Sequence, residues 1–219
     1  MSSTSTRLTN PPRSFARSFP YHELLGPSSL TSTPIPKSTR AHTMTSAFPP
    51  PELRKIVQEV ASLLKERKET ISVAETAAGG LISATLLSVP GASSIYRGGL
   101  TLYTLESRVA FAGWKPSDIE SYSGPTTDIV KGLAEHTRKT LGSNWTVSES
   151  GTAGPGGGVK GTKRYRDPGF VALAVAGEKG TEVRELVTGL GGDREGNMVQ
   201  FAVEALKLAR DTIKGEGKL

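Results

Sequence analysis

The stretch 72–82 constrains the fold of this chain more than any other. It opens with apolar residues suited to a buried strand and continues through a turn that contains Gly79 and Gly80. From Leu81 onward, apolar and small residues recur at helical spacing. A strand that enters a helix through such a turn gathers free backbone N–H groups at one point, which favours binding of an anion. The alternative is that the two glycines only allow backbone segments to pack closely.

Strand and helix patterns alternate along the rest of the body, which predicts an α/β layer fold with helices on both faces of a sheet. The last two strand patterns read as a hairpin, so the sheet is predicted to be mixed rather than all parallel. Thr126 is the expected N-cap of one helix. Helices are predicted over residues 52–67, 81–88, 106–111, 115–121, 127–141 and 193–213, and strands over 70–74, 99–104, 145–148, 170–176 and 182–188.

Residues 1–50 differ from the body that spans 51–219. They are rich in Ser, Thr and Pro and carry +4 of the chain's net charge of +6. This composition cannot bury enough apolar surface to fold alone, so a disordered tail is expected. It also matches a transit peptide, which predicts a mitochondrial location if residues 1–43 act as an address and a cytoplasmic one otherwise. The alternatives are an extension without function, or a working start at Met44.

The composition of the chain excludes several classes of site. There is no cysteine, which rules out disulfides, thiolate metal sites and a cysteine nucleophile. The three histidines, His22, His42 and His136, lie far apart in sequence, so no multi-histidine metal centre is expected. No apolar run approaches ~18 residues, so no membrane span is expected. The body carries a net charge of only +2, and its charge does not indicate a nucleic-acid surface.

A second glycine-rich turn covers residues 150–158 and follows the third predicted strand. In an open α/β sheet, two such turns meet at one end and form a crevice that binds ligand. Neither turn has the spacing of a Walker loop or of a dinucleotide-binding motif, which disfavours a standard nucleotide site. The basic loop 160–166 that follows either contacts a phosphate or is simply solvated.

Several motifs occur in one order along the chain: Val73-Ala74-Glu75-Thr76-Ala77-Ala78-Gly79-Gly80-Leu81, Val89-Pro90-Gly91-Ala92-Ser93-Ser94, Arg97-Gly98-Gly99-Leu100-Thr101-Leu102-Tyr103, Ser150-Gly151-Thr152-Ala153-Gly154-Pro155-Gly156-Gly157 and Gly192-Asp193-Arg194. Together they resemble the CinA C-terminal domain family, over about residues 52–213. The resemblance implies a compact three-layer α/β/α domain, a homodimer, and no cofactor or metal. It also implies deamidation of nicotinamide mononucleotide, which releases ammonia and leaves nicotinic acid mononucleotide.

The resemblance also implies which residues form the site. The family is described as a serine amidohydrolase with a serine–lysine arrangement and a supporting tyrosine. Ser93 and Tyr103 match the serine and the tyrosine, and Arg108 stands at the position of the lysine. The residues expected to bind substrate are Glu75, Thr76, Gly79, Gly80, Ser150, Gly151, Gly154, Pro155 and Arg194.

Arg108 puts the base of this reaction in question. A serine hydroxyl needs a base, and a buried lysine serves because burial lowers its pKa. Arginine stays protonated in proteins, so Arg108 can bind an anion but cannot accept the proton. The family's Glu-Ser-Cys-Thr-Gly-Gly is also altered, because Ala77 and Ala78 replace its Cys and Thr. We therefore expect a retained crevice whose usual base is lost.

Three functional hypotheses remain open from the sequence. The first is an amidohydrolase that acts on nicotinamide mononucleotide through Ser93. The second is a non-catalytic descendant that binds a nucleotide or a partner in the crevice. The third is an amidase with a shifted substrate and Glu75 as base. Each residue also has a structural alternative: Ser93 as a helix cap, Tyr103 as a core aromatic, Arg108 as a helix-surface cation and Glu75 as a hydrogen-bond acceptor.

Overall fold

The computed structural model describes residues 47–156 and 164–215. The predicted tail, apart from residues 47–50, and most of the basic loop lie outside the described residues. The helices are α1 (Pro51–Arg67), α2 (Leu81–Leu87), α3 (Leu105–Phe111), α4 (Pro116–Ser121), α5 (Thr127–Leu141) and α6 (Arg194–Lys214), and the strands are β1 (Ile71–Glu75), β2 (Tyr96–Thr101), β3 (Trp145–Gly151), β4 (Phe170–Gly177) and β5 (Gly180–Val187).

The five strands form one mixed sheet in the order β2-β1-β3-β4-β5. β1 lies parallel to both β2 and β3, and β4 is antiparallel to β3 and β5. The predicted mixed sheet is confirmed. Because β1, β2 and β3 run in the same direction, the segments that follow them emerge at the same edge.

Helices cover both faces of the sheet, as the alternation of patterns predicts. On one face α1, α2 and α6 pack against apolar residues of β1, β3 and β4. On the other face α5 packs against β4, and a smaller cluster joins Ala74, Leu102, Ala112 and Leu133. The fold is therefore α/β with a sheet between two helical layers. No helix of the described residues is both long and apolar enough to cross a membrane.

All five strands differ from their predicted bounds by one residue or more, and β2 and β3 differ most. β2 begins at Tyr96 rather than at residue 99, because Tyr96 already pairs with Ile71 of β1. β3 continues to Gly151 rather than ending at residue 148, because Glu149 to Gly151 pair with β4. The cause is the same in both cases, since ladder pairing extends a strand through polar or glycine residues that local propensity does not favour.

Side chains cap the N-termini of α5 and α6, and the first of these caps was predicted from the sequence. The Thr126 hydroxyl accepts a hydrogen bond from the N–H of Ile129, so the predicted N-cap of α5 is confirmed. The carboxylate of Asp193 likewise accepts from the N–H of Gly196 at the start of α6. This second cap sets where α6 begins, directly beside the turn that follows β3.

Candidate functional site

The carboxyl ends of β1, β2 and β3 meet the start of α6 at one edge of the sheet. We call the region formed by residues 75–80, 102–103, 149–156 and 191–194 the crevice. Both glycine turns lie in it, because β1 and β3 are hydrogen-bonded neighbours whose last residues align. The hydroxyl of Thr76 on one turn donates to the Ser150 hydroxyl on the other strand at 3.2 Å.

The carboxylate of Glu75 caps the N-terminus of α2. Its carboxylate accepts from the N–H of Ile82 at 3.0 Å, and from the N–H and hydroxyl of Ser83 at 3.1 and 2.6 Å. A carboxylate at a helix N-terminus is favourable because it satisfies otherwise unpaired N–H groups. Glu75 thus occupies the place where the sequence suggested an external anion. Both of its oxygens are engaged, which supports its role as a structural hydrogen-bond acceptor.

Glu149 is a site residue that the sequence did not reveal. It is fully buried, and its Oε2 accepts from the N–H groups of Thr76 and Ala78 at 3.0 and 2.9 Å. Its Oε1 has no hydrogen-bond partner within the described residues. Burial raises the pKa of Glu149 to about 7, and the nearby charge of Glu75 adds to the rise, while the two backbone hydrogen bonds and Arg108 oppose it.

Glu149 could be identified as a site residue from the sequence only if the pairing register of β1 and β3 were already known. Glu149 directly follows the predicted strand 145–148, and it aligns with Glu75 across the parallel ladder between β1 and β3. The two residues are 74 positions apart in sequence. Only the pairing of these strands shows that two carboxylates share one end of the sheet.

Arg108 is buried against aromatic rings, with only 3% of its surface exposed. Its guanidinium carbon lies 5.1 Å from the Trp114 ring centroid and 5.0 Å from that of Tyr122. Its Nε donates to the carbonyl of Leu102 at 3.4 Å, and its Nη1 has no partner among the described residues. A cation over aromatic faces is stabilised by the ring quadrupoles. The alternative that Arg108 is a helix-surface cation is therefore wrong.

Tyr103 and Arg194 join the two sides of the crevice. Tyr103 is 63% exposed, so it is not a core aromatic. Its hydroxyl accepts from Nη2 of Arg194 at 3.2 Å, and Nη1 of Arg194 donates to the carbonyl of Gly154 at 2.7 Å. Asn197, one turn further along α6, donates to the carbonyls of Ala153 and Gly191. The first turns of α6 thus hold the glycine turn 151–156 against the end of β2.

The glycines of the crevice are required by backbone geometry. Gly79 and Gly80 have φ values of 68° and 101°, which residues with a Cβ atom rarely adopt. Gly154 has φ 91°, and a Cβ there would lie 3.1 Å from the Cα of Gly192. The neighbouring predicted residues are also packed here: a Cβ on Gly151 would lie 2.7 Å from Phe201, and Pro155 lies against Gly192.

Ser93 lies outside the crevice of its own chain. It is an exposed residue of the short 3-10 helix Ala92–Ser94, which precedes β2, whereas Tyr103 follows β2. Six strand residues at ~3.3 Å each separate these positions by about 20 Å. Ser94 rather than Ser93 donates to the carbonyl of Gly91, and the Ser93 hydroxyl has no hydrogen bond in the described part of the chain. The structure brings the other predicted residues together and leaves Ser93 at the opposite edge.

A cavity of about 430 Å³ opens beside the rings that hold Arg108. Trp114, Tyr122, Asp118 and Asp128 line it, together with several hydroxyl groups. Its volume is in the range of small-molecule pockets. Among residues 47–156 and 164–215, no group of three or more His, Cys, Asp or Glu is placed to hold a metal ion.

Comparison with known proteins gives relatives over the same region. A CinA-like protein of Prochlorococcus marinus (strain MIT 9313) is 33% identical over 151 residues, which are 69% of this chain and 33% of that protein. A CinA-like protein of Chlorobaculum tepidum is 33% identical over 153 residues, which are 68% of this chain and 35% of that protein. The chain thus spans about a third of the length of the curated relatives it matches.

Solved structures share the fold. The competence or damage-inducible protein from Enterobacter asburiae superposes with a TM-score of 0.65 at 23% identity, over 74% of this chain and 98% of that chain. The competence damage-inducible protein A from Klebsiella pneumoniae superposes with a TM-score of 0.67 at 22% identity, over 74% and 97%. A model of the family described as the CinA C-terminal domain matches residues 53–213, most of the chain. The chain therefore belongs to the CinA C-terminal domain family.

Proposed function

We propose that this protein is an amidohydrolase of the nicotinamide-nucleotide amidase type, with the crevice as its substrate site. The reaction is nicotinamide mononucleotide plus water to nicotinic acid mononucleotide plus ammonia. One observation carries the proposal: Tyr103, Arg108 and both glycine turns, far apart in sequence, meet at one edge of the sheet. The proposal needs no metal or cofactor.

Positive charge in the crevice suits a mononucleotide. Arg194 is exposed and contacts both Tyr103 and the turn at Gly154, so a phosphate beside it gains charge-assisted hydrogen bonds. Arg108 supplies a second, buried cation whose Nη1 is unpaired within the described residues. We assign to it the stabilisation of the negative charge that develops on the carboxamide oxygen.

Glu149 is the best candidate for the proton acceptor. Arg108 cannot accept a proton, and both oxygens of Glu75 already accept hydrogen bonds. Glu149 keeps one oxygen without a partner in the described chain, and its pKa of about 7 lets it exist in both protonation states near neutral pH. Such a pKa is what a general base needs at that pH. Glu149 replaces the lysine of the family in this proposal.

Ammonia release from nicotinamide mononucleotide tests the proposal. We expect release by the wild type and a loss of about 10²–10⁴-fold in Glu149→Gln, the range for removal of a general base. Glu120→Gln, which removes an exposed carboxylate on α4, is the matched control and keeps wild-type activity. If the wild type releases no ammonia and Arg108→Lys clearly does, the proposal is contradicted.

A non-catalytic binding protein is the second candidate. The observation in its favour is that Ser93 lies at the opposite edge of the sheet from Arg108, which itself cannot act as base. This candidate predicts that calorimetric titration with nicotinamide mononucleotide gives heat although no ammonia forms. Absence of heat with pyridine nucleotides contradicts both candidates for the crevice.

A further inference from the structure

Asn197 is a buried polar side chain to which the proposed reaction gives no role. It is fully buried in the first turns of α6. Its Nδ2 donates to the carbonyls of Ala153 and Gly191 at 2.9 and 2.8 Å, and its Oδ1 accepts from the Thr188 hydroxyl at 2.5 Å. Burying an amide costs free energy unless the amide is hydrogen-bonded, so these three contacts explain how a polar side chain lies here.

The contacts of Asn197 tie together three segments of the chain. Ala153 belongs to the glycine turn after β3, Thr188 directly follows β5, and Gly191 lies in the turn that leads into α6. Ala153 and Asn197 are 44 positions apart in sequence. Because carbonyl oxygens only accept hydrogen bonds, both donors of the amide face Ala153 and Gly191. A single side chain thus sets the distance between the glycine turn and the start of α6.

Arg194 joins the same two segments, and its side chain is exposed. Its backbone follows the Gly191 turn, and its Nη1 donates to the carbonyl of Gly154, the residue after Ala153. Its Nη2 donates to the Tyr103 hydroxyl. Arg194 forms no ion pair with the described residues, so its charge is not neutralised there. A guanidinium carries five N–H donors, and these two contacts leave donors available for an anion.

We propose that Asn197 is a positioning residue for phosphate in the crevice. By holding both segments that Arg194 joins, it fixes the guanidinium where a nucleotide phosphate binds. An arginine that is already ordered loses less conformational entropy when an anion binds, so its placement strengthens binding. The inference rests on the proposed function, which puts the phosphate of nicotinamide mononucleotide beside Arg194. It adds the residue that sets the preference of the crevice for a phosphorylated ligand.

Binding with and without the phosphate tests the role of Asn197. Calorimetry gives the dissociation constants of nicotinamide mononucleotide and of nicotinamide riboside, which lacks only the phosphate. The parent protein carries Glu149→Gln, so that the nucleotide is not consumed during the titration. We expect the parent to bind the mononucleotide about 10–100-fold more tightly than the riboside, the range for hydrogen bonds to a charged group. Asn197→Leu, similar in size but without hydrogen bonds, lowers this preference about tenfold and leaves riboside binding unchanged.

A double variant separates positioning from a purely structural role. Arg194→Gln removes the charge, so we expect it to lose the preference for the phosphorylated ligand. If Asn197 acts through Arg194, adding Asn197→Leu to Arg194→Gln lowers the preference no further, because the contact that Asn197 positions is already gone. Thr212→Val is the matched control: it removes a buried hydrogen bond to the Leu208 carbonyl near the other end of α6 and keeps the preference.

Circular dichroism checks that each variant folds, and Asn197→Ser, which keeps one donor, replaces Asn197→Leu in the same cycle if the leucine variant does not fold. A loss of the preference that does not add to that of Arg194→Gln supports the inference. An unchanged preference, equal weakening of both ligands or additive losses overturn it and leave the crevice proposal standing. A parent protein that binds neither ligand contradicts both.

Discussion

Replacing Glu149 by Gln changes how the stability of the protein depends on pH. Glu149 is fully buried, and the pKa of its carboxyl in the folded protein is about 7, against an ordinary value of 4.5. The folded state therefore binds this proton more tightly than the unfolded state. Stability from this group is fully present below the unfolded pKa and is lost as the pH rises through the folded pKa.

The size of the effect follows from the shift. Each pKa unit corresponds to about 1.4 kcal/mol, so the rise from 4.5 to about 7 corresponds to roughly 3–4 kcal/mol in total, of which roughly 2–3 kcal/mol is lost between pH 5 and pH 8. Glutamine stays neutral and its oxygen can still accept from the N–H groups of Thr76 and Ala78. The free energy of unfolding of Glu149→Gln therefore does not fall between pH 5 and pH 8 on account of this residue.

Urea denaturation at pH 5 and pH 8 measures the difference. We expect the wild type and the control Glu120→Gln to lose roughly 2–3 kcal/mol more than Glu149→Gln over this interval. The comparison between variants removes the contribution of every other titrating group. Equal losses in wild type and Glu149→Gln refute the reasoning, because they show that the Glu149 carboxyl does not titrate near neutral pH.

Three further predictions concern the backbone and the tail. Gly154→Ala lowers the free energy of unfolding by about 2–4 kcal/mol, because φ is 91° at this residue and the new Cβ meets backbone atoms of Gly192. The control Gly189→Ala has φ 81° but open space around the new Cβ, so it lowers the free energy of unfolding by only about 1 kcal/mol. Urea titration measures both variants. Gly132→Ala raises it by about 0.5–1 kcal/mol, because Gly132 lies inside α5 and a Cβ there meets no atom within 4 Å; an unchanged or lower midpoint contradicts this. Residues 1–43 fused to a fluorescent protein direct it to mitochondria if they act as a transit peptide, and a diffuse signal like that of the fluorescent protein alone speaks against it.

Much of the fold was open to prediction because its signals are local. The apolar face of α1 and the N-cap at Thr126 depend on residues a few positions apart. The bounds of β2 and β3 were less accurate, because Tyr96 and Glu149 belong to strands through ladder partners that are distant in sequence. Local propensity cannot anticipate such pairing.

The sequence by itself determined the family motifs, the glycine turns and the presence of Arg108 at the lysine position. Only the tertiary structure decided which of these residues lie close together. Strand register placed Glu149 beside Glu75, and burial then raised the pKa of the Glu149 carboxyl. Ser93 lies before β2 and Tyr103 lies after it, so the direction of this strand separates the two residues to opposite ends of the sheet. The physical reason is that propensity and capping act between neighbours in sequence, whereas desolvation and charge act between neighbours in space.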